Sequence, residues 1–465
     1  MKHLNLSILS DYDIPLNRPQ RLCGVQFGDD AALLGLIDRL IDNANAEGAD
    51  VGLAVVHPGE YGFARQMKEQ DGLYTAFVRG EMGEKNVSRE QVVQSVLESI
   101  DPDADSDRLM ALAADPGVGF ILLHSDEVGE FAHRDGICAA LAARFLVERW
   151  QKHTAPVAVI VCGESSDCAN SFREEVSQFA RGWNAGEDFE AWLSGCRFFP
   201  ALADCLTFRS SAEEAARLCA QMNYADAMIH LAEPHGLWAI RADEAFRSEF
   251  PLDKCGQVKF VDDLTDLLIK KQRIFDAGLF AMAALGCLHG NETLAECMKD
   301  EPLRDLVGQA LLDEMLPYLP YEREQLIPYI IECYERYGNP MNDNLLSDAA
   351  RGLAHKFAVG ILPAVKAYAN EHFEPPKYLT AALSAMIMLY ADVRLRDEGY
   401  ETVVGQTLIP VHESRDVLEA FSTLASDMQP DSLAYAVLSD RALWNGEDLR
   451  EIDGLEDAVI QNLAG

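Results

Sequence analysis

The run LCGVQFGDDAALLGLIDRLI, residues 22–41, decides the fold. Leu22 to Gly28 is a short apolar stretch closed by a glycine, and Leu33, Leu36, Ile37, Leu40 and Ile41 recur behind it at helical spacing. Val51 to Val56 follows as a second apolar run, so the chain opens with a β-α-β unit. Phe120 to Leu123 and Val157 to Cys162 are further continuous apolar strands; the helical patterns Ile137 to Trp150 and Phe172 to Trp183 come after them. Strands that are apolar on both faces belong inside a parallel sheet covered by helices. Residues 1–262 therefore predict an α/β, Rossmann-like doubly wound domain. Tyr74 to Arg79, followed by Gly80 to Gly83, interrupts the pattern as a β excursion.

Beyond Asp263 the periodicity changes. Helical stripes run from Leu264 to Leu288, Leu303 to Met315, Arg323 to Tyr337, Asn344 to Phe357 and Tyr378 to Tyr390, punctuated by Pro317, Pro320, Asn339-Pro340, Pro363 and Pro375-Pro376. This predicts an all-helical second domain over 263–465.

Charge excludes several partners. The 465 residues carry 39 Lys plus Arg against 76 Asp plus Glu, a net charge of -37 that repels nucleic acid and anionic membranes alike. The most apolar window, Ala381 to Tyr390, is far shorter than the roughly 20 residues that span a bilayer. Met1 to Ser10 does not read as a signal peptide, and the 11 cysteines form no C-x-x-C pair. The expectation is a cytoplasmic protein with cysteines as small core residues and no metal.

Two places could carry chemistry. In Phe27-Gly28-Asp29-Asp30 only one glycine stands in the turn where a dinucleotide fold brings its backbone to the pyrophosphate. Asp29 and Asp30 are expected to cap the following helix and to place negative charge where a phosphate would lie. Further on, Lys271 falls on the apolar stripe of Leu264, Leu267, Leu268, Phe275, Gly278, Leu279 and Met282. Burial disfavours an ammonium, so such a lysine suits a general base; the alternative is a lysine snorkelling from a core helix. Its expected partner is a carboxylate such as Asp276 or a bound anion.

At this point the chain resembles a family, the long-chain polyol dehydrogenases that include mannitol dehydrogenases, fructuronate reductases and, most similar, tagaturonate reductases. The resemblance rests on Arg21 through Gly28, Glu69 through Thr75 with Arg79-Gly80, and Asp115-Pro116. It continues through Glu233-Pro234 with Leu237-Trp238, Asp262 through Thr265, Lys271 with Arg273-Ile274, Arg336 with Asn339-Pro340, and Lys356 with Leu362-Pro363. It implies an NAD- or NADP-dependent, metal-free oxidoreductase acting on a sugar acid or polyol. By the same resemblance Phe27, Gly28, Asp29, Asp30 and His124 hold the cofactor positions, and Asn170, Arg336, Asn339 and Lys356 the substrate positions. Lys271 is the base. The family's Asn and His, five and eight places after the lysine, are Asp276 and Leu279 here. An ionised Asp donates no hydrogen bond to a developing oxyanion, and Leu279 offers nothing polar. The family's Asn-Thr-Thr-Glu run is His124-Ser125-Asp126-Glu127.

The reading that follows is an oxidoreductase that transfers a hydride between NAD(P) and a hexuronate or sugar alcohol; the alternative is a catalytically inactive relative that serves as a sugar-acid binder, partner subunit or regulator. Oligomeric state is left open by the sequence.

Overall fold

The structure, a computed structural model, describes residues 1–58, 62–83, 85–125, 130–340, 345–396, 399–404, 407–411, 413–424 and 428–464. Its principal sheet has eight strands: β1 (Leu22–Phe27), β2 (Gly52–Val56), β3 (Val96–Ile100), β4 (Phe120–His124), β5 (Ala158–Cys162), β6 (Arg197–Asp204), β7 (Leu237–Ile240) and β8 (Val258–Phe260). Their order is β8-β7-β6-β5-β4-β1-β2-β3. Phe27 lies beside Val56 on one side and Leu123 on the other, all three strands parallel. The order reverses at β1, so β1 and β4 are the switch point outside whose carboxyl ends an open α/β sheet binds ligands. Only β6 and β7 pair antiparallel within this sheet. Two apolar layers cover its faces, one around Val25, Phe27, Phe145 and Phe172 and one around Leu36, Leu40, Phe120 and Trp238. The excursion at Tyr74 is larger than expected. It forms Tyr74–Met82, which joins Lys85–Val93, Thr207–Arg209 and His230–Ala232 in a four-stranded sheet.

The main division between the two compact units falls between Leu268 and Ile269, inside a helix and a few residues beyond the expected boundary, and the second unit also takes the short segment Glu81–Glu84. The reason is packing: Leu264 and Leu268 are buried with Leu202 and Ala239 of β6 and β7, so the first turn of that helix belongs to the sheet. The second unit is helical, built around Asp276–His289, Arg323–Tyr337 and Lys377–Tyr390. It is not all-helical. Arg394–Arg396, Gly399–Val404 and Thr407–Pro410 make an antiparallel three-stranded sheet that helical periodicity over long windows passes over. No helix among the described residues is long and apolar enough to cross a membrane.

Candidate functional site

At the end of β1 the chain turns at Gly28, whose φ of 115° lies in the left-handed region and favours glycine. The helix that follows starts at Asp30, whose Oδ1 accepts from Ala32 N at 2.8 Å and Leu33 N at 3.0 Å. Burial pushes the Asp30 carboxyl up, but His124 and these amides outweigh it and hold it below the ordinary range. His124 Nδ1, at the end of β4, stands 3.5 Å from Asp30 Oδ2.

Asp29 departs from expectation and does not cap this helix. Its Oδ2 accepts from His57 Nδ1 at 2.6 Å and Phe63 N at 2.8 Å, because β2 ends on a buried histidine that needs a partner. His57 Nε2 is 2.8 Å from Ser99 Oγ, which donates to Ala64 O at 3.0 Å. Phe27 faces the core, edge-on to Phe145. Asn170 is exposed and donates to Asp167 at 2.6 Å, already inside the helix Cys168–Gly182. Asp126 and Glu127 lie outside the described residues.

These residues do not fit a dinucleotide. The first amides of the helix, which would receive a pyrophosphate, already hold an ionised, partly buried carboxylate. At the end of β2, where this fold places an acidic hook for a ribose hydroxyl, His57 has both ring nitrogens engaged.

In the second unit Lys271 and Asp276 come together. The helix Thr265–Lys270 passes into a π turn, Lys271–Phe275, before Asp276–His289 continues as α-helix. Uniform helical rotation places Asp276 about 140° around from Lys271. The π turn, closed by a bond from Asp276 N to Lys271 O, reduces that offset. Lys271 Nζ then donates to Asp276 Oδ2 at 2.8 Å, both residues buried, which is the expected pairing. Arg336 joins them: its guanidinium lies 3.7 Å over the ring of Phe275, which stacks on Tyr337. Tyr337 donates to Phe275 O at 2.6 Å, and a Cβ on Gly278 would come within 2.5 Å of the Tyr337 hydroxyl. Asn339 is buried two residues further on, and Leu279 is buried and apolar.

Lys356 is engaged locally, donating to Ala349 O at 3.1 Å and to Arg351 O. Beside it lies Glu413, which sequence reasoning missed. It accepts from Ala354 N at 2.7 Å and the Tyr390 hydroxyl at 3.2 Å, and burial pushes its carboxyl up to about 7. A single acid in a connecting segment carries no periodic signal that could have revealed it.

Residues 263–464 match the family model of the mannitol dehydrogenase C-terminal domain. The altronate oxidoreductase of Klebsiella pneumoniae strain 342 is 30% identical over 469 residues, covering 96% of this chain and 94% of that protein. That of Bacillus subtilis strain 168 is 28% identical, covering 99% and 94%. Among solved structures, Pseudomonas fluorescens mannitol 2-dehydrogenase, in ternary complex with NAD and D-mannitol, superposes with a TM-score of 0.77 at 16% identity, covering 100% of this chain and 96% of that one. A substrate-free D-sorbitol dehydrogenase gives 0.72 at 18%, covering 99% and 97%.

Proposed function

The chain belongs to the mannitol dehydrogenase family of oxidoreductases, related along its whole length to altronate oxidoreductases, and from that membership we propose that it recognises a hexuronate or similar sugar acid without NAD(P)-dependent turnover. One observation carries the second half of this reading: the Asp30 carboxylate seated on the helix amides that a pyrophosphate needs. The first half draws on Lys271, buried and paired with Asp276, and on the buried Arg336 over the ring of Phe275, cations of the kind that hold a sugar-acid carboxylate. Lys356 is a further candidate anchor. On this reading the protein is a sugar-acid binder, partner subunit or regulator descended from an oxidoreductase.

The family's ordinary activity is the second reading, and Lys271 favours it. By resemblance the lysine stands at the family's base position, and it is buried there beside Asp276. Against it stand Asp276 and Leu279, since loss of one oxyanion donor costs about 10²–10³ in rate. Calorimetric titration with tagaturonate, fructuronate and mannitol, beside assays of NADH and NADPH oxidation with the two keto acids and of NAD and NADP reduction with mannitol, separates the two. Sugar-acid binding with no nicotinamide turnover in either direction is the expected result. Turnover of any of these compounds would return the protein to the active oxidoreductases.

A further inference from the structure

We propose that Cys205, with Cys255 nearby, is a thiol modification site served by the buried guanidinium of Arg39. Of the 11 cysteines, these two alone are not fully buried. Arg39 is 3% exposed, and its Nε donates to Gly35 O at 3.1 Å. Its Nη2 is enclosed and has no hydrogen-bond partner. The acidic groups that act on it are the thiols of Cys205 and Cys255, ahead of the Tyr74 phenol.

The sheet register places the three residues together. Leu237 lies opposite Asp204, so Gly236 comes beside Cys205; Trp238 lies beside Val258 in parallel, so Gly236 comes beside Gly256, next to Cys255. Arg39 reaches this same point, since a Cβ on Gly236 would sit 3.3 Å from Arg39 Nη2 and 3.2 Å from Gln257 Nε2. Two nitrogen donors therefore converge at Gly236, with a partly buried cysteine on each flank.

A buried cation without a counter-charge is costly, and a neighbouring thiol that ionises or is oxidised supplies one. The register opposite Gly236 brings Cys205 to the same point as Arg39 Nη2, which makes it the nucleophile of the pair. Its Sγ donates to Leu206 O at 3.6 Å and Glu233 O at 3.8 Å, and the charged groups around it are Arg39 and the buried Glu233 carboxyl. With a hydroperoxide, the Cys205 thiol gives its proton to solvent and the thiolate attacks the nearer oxygen. The S–O bond forms as the O–O bond breaks, and the departing hydroxide or alkoxide takes up a proton. Sulfur is oxidised by two electrons, the peroxide is reduced, and the sulfenate faces Arg39.

The test uses the full chain with limiting iodoacetamide, read by peptide mass spectrometry. Cys205 should be alkylated first, with a pH–rate midpoint below the free-thiol value of about 8.5. Arg39→Met, checked for folding by circular dichroism, should slow Cys205 at least tenfold, while Arg39→Lys keeps most of the rate. Dilute hydrogen peroxide followed by dimedone should mark the same residue. A wild-type midpoint at or above 8.5 overturns the proposal even if the methionine variant does not fold, and so does an unchanged Cys205 rate in a folded Arg39→Met.

Discussion

Replacing Asp276 by Asn leaves the Lys271 ammonium buried beside a neutral amide, and losing one partner of a buried pair costs about 3–5 kcal/mol. Urea unfolding of Asp276→Asn should show a loss of that order; a midpoint unchanged from wild type would mean that other groups compensate the lysine. At the nucleotide turn, Asp30→Gly removes the charge from the helix start. A terminal charge is worth about 0.3–2 kcal/mol, so NADH binding should strengthen by up to roughly 30-fold in a fluorescence titration, and weaker binding in the variant would refute charge exclusion. Asp29 is best left in place, because changing it would strand His57. The sequence made Lys271 legible as a lysine on an apolar stripe and Asp30 as a cap. It gave no sign of Asp29's partner, since His57 and Asp29 meet only when the ends of β1 and β2 lie side by side.

A helix with one extra residue in a turn looks, to periodic reading, like any other helix. The π turns Leu33–Asp38 and Lys271–Phe275 therefore escape notice, although each re-aims an acidic residue. In the first, Asp38 faces Gln26 and Tyr74, and burial pushes its carboxyl up to about 8. The native state then keeps a proton that the unfolded chain releases near pH 4. Stability is greatest below that value and falls as pH climbs to about 8, by at most about 1.4 kcal/mol per pH unit. Glu413 adds a fall of the same sign up to about pH 7. Thermal midpoints measured from pH 4 to pH 9 should decline, and Asp38→Asn should flatten the decline; a variant that keeps the full slope would locate the proton elsewhere. The small sheet at Arg394–Pro410 was likewise illegible, its three strands being too short to establish alternation.

Across the whole molecule the net charge of -37 acts as self-repulsion, which salt screens over a Debye length that shrinks from about 30 Å at 0.01 M to about 8 Å at 0.15 M. The melting temperature should rise over that range, and a flat response would show that local pairs dominate the long-range field. The architecture was the most legible layer, because doubly wound and helical patterns are written over tens of residues that later specialisation need not touch. Substitutions at a few turn and helix positions leave those patterns intact. The side chain of Asp30 also has a consequence for physiology. A carboxylate tethered to its own helix competes at a fixed effective concentration, whatever the level of a diffusing anion. On the proposed reading, in which the second unit binds a sugar acid, its occupancy would follow the supply of that acid alone, uncoupled from the cell's ratio of oxidised to reduced nicotinamide. Adding NADH to a tagaturonate thermal-shift titration should leave the curve where it was, and a displaced curve would show that the redox pool still reaches the protein.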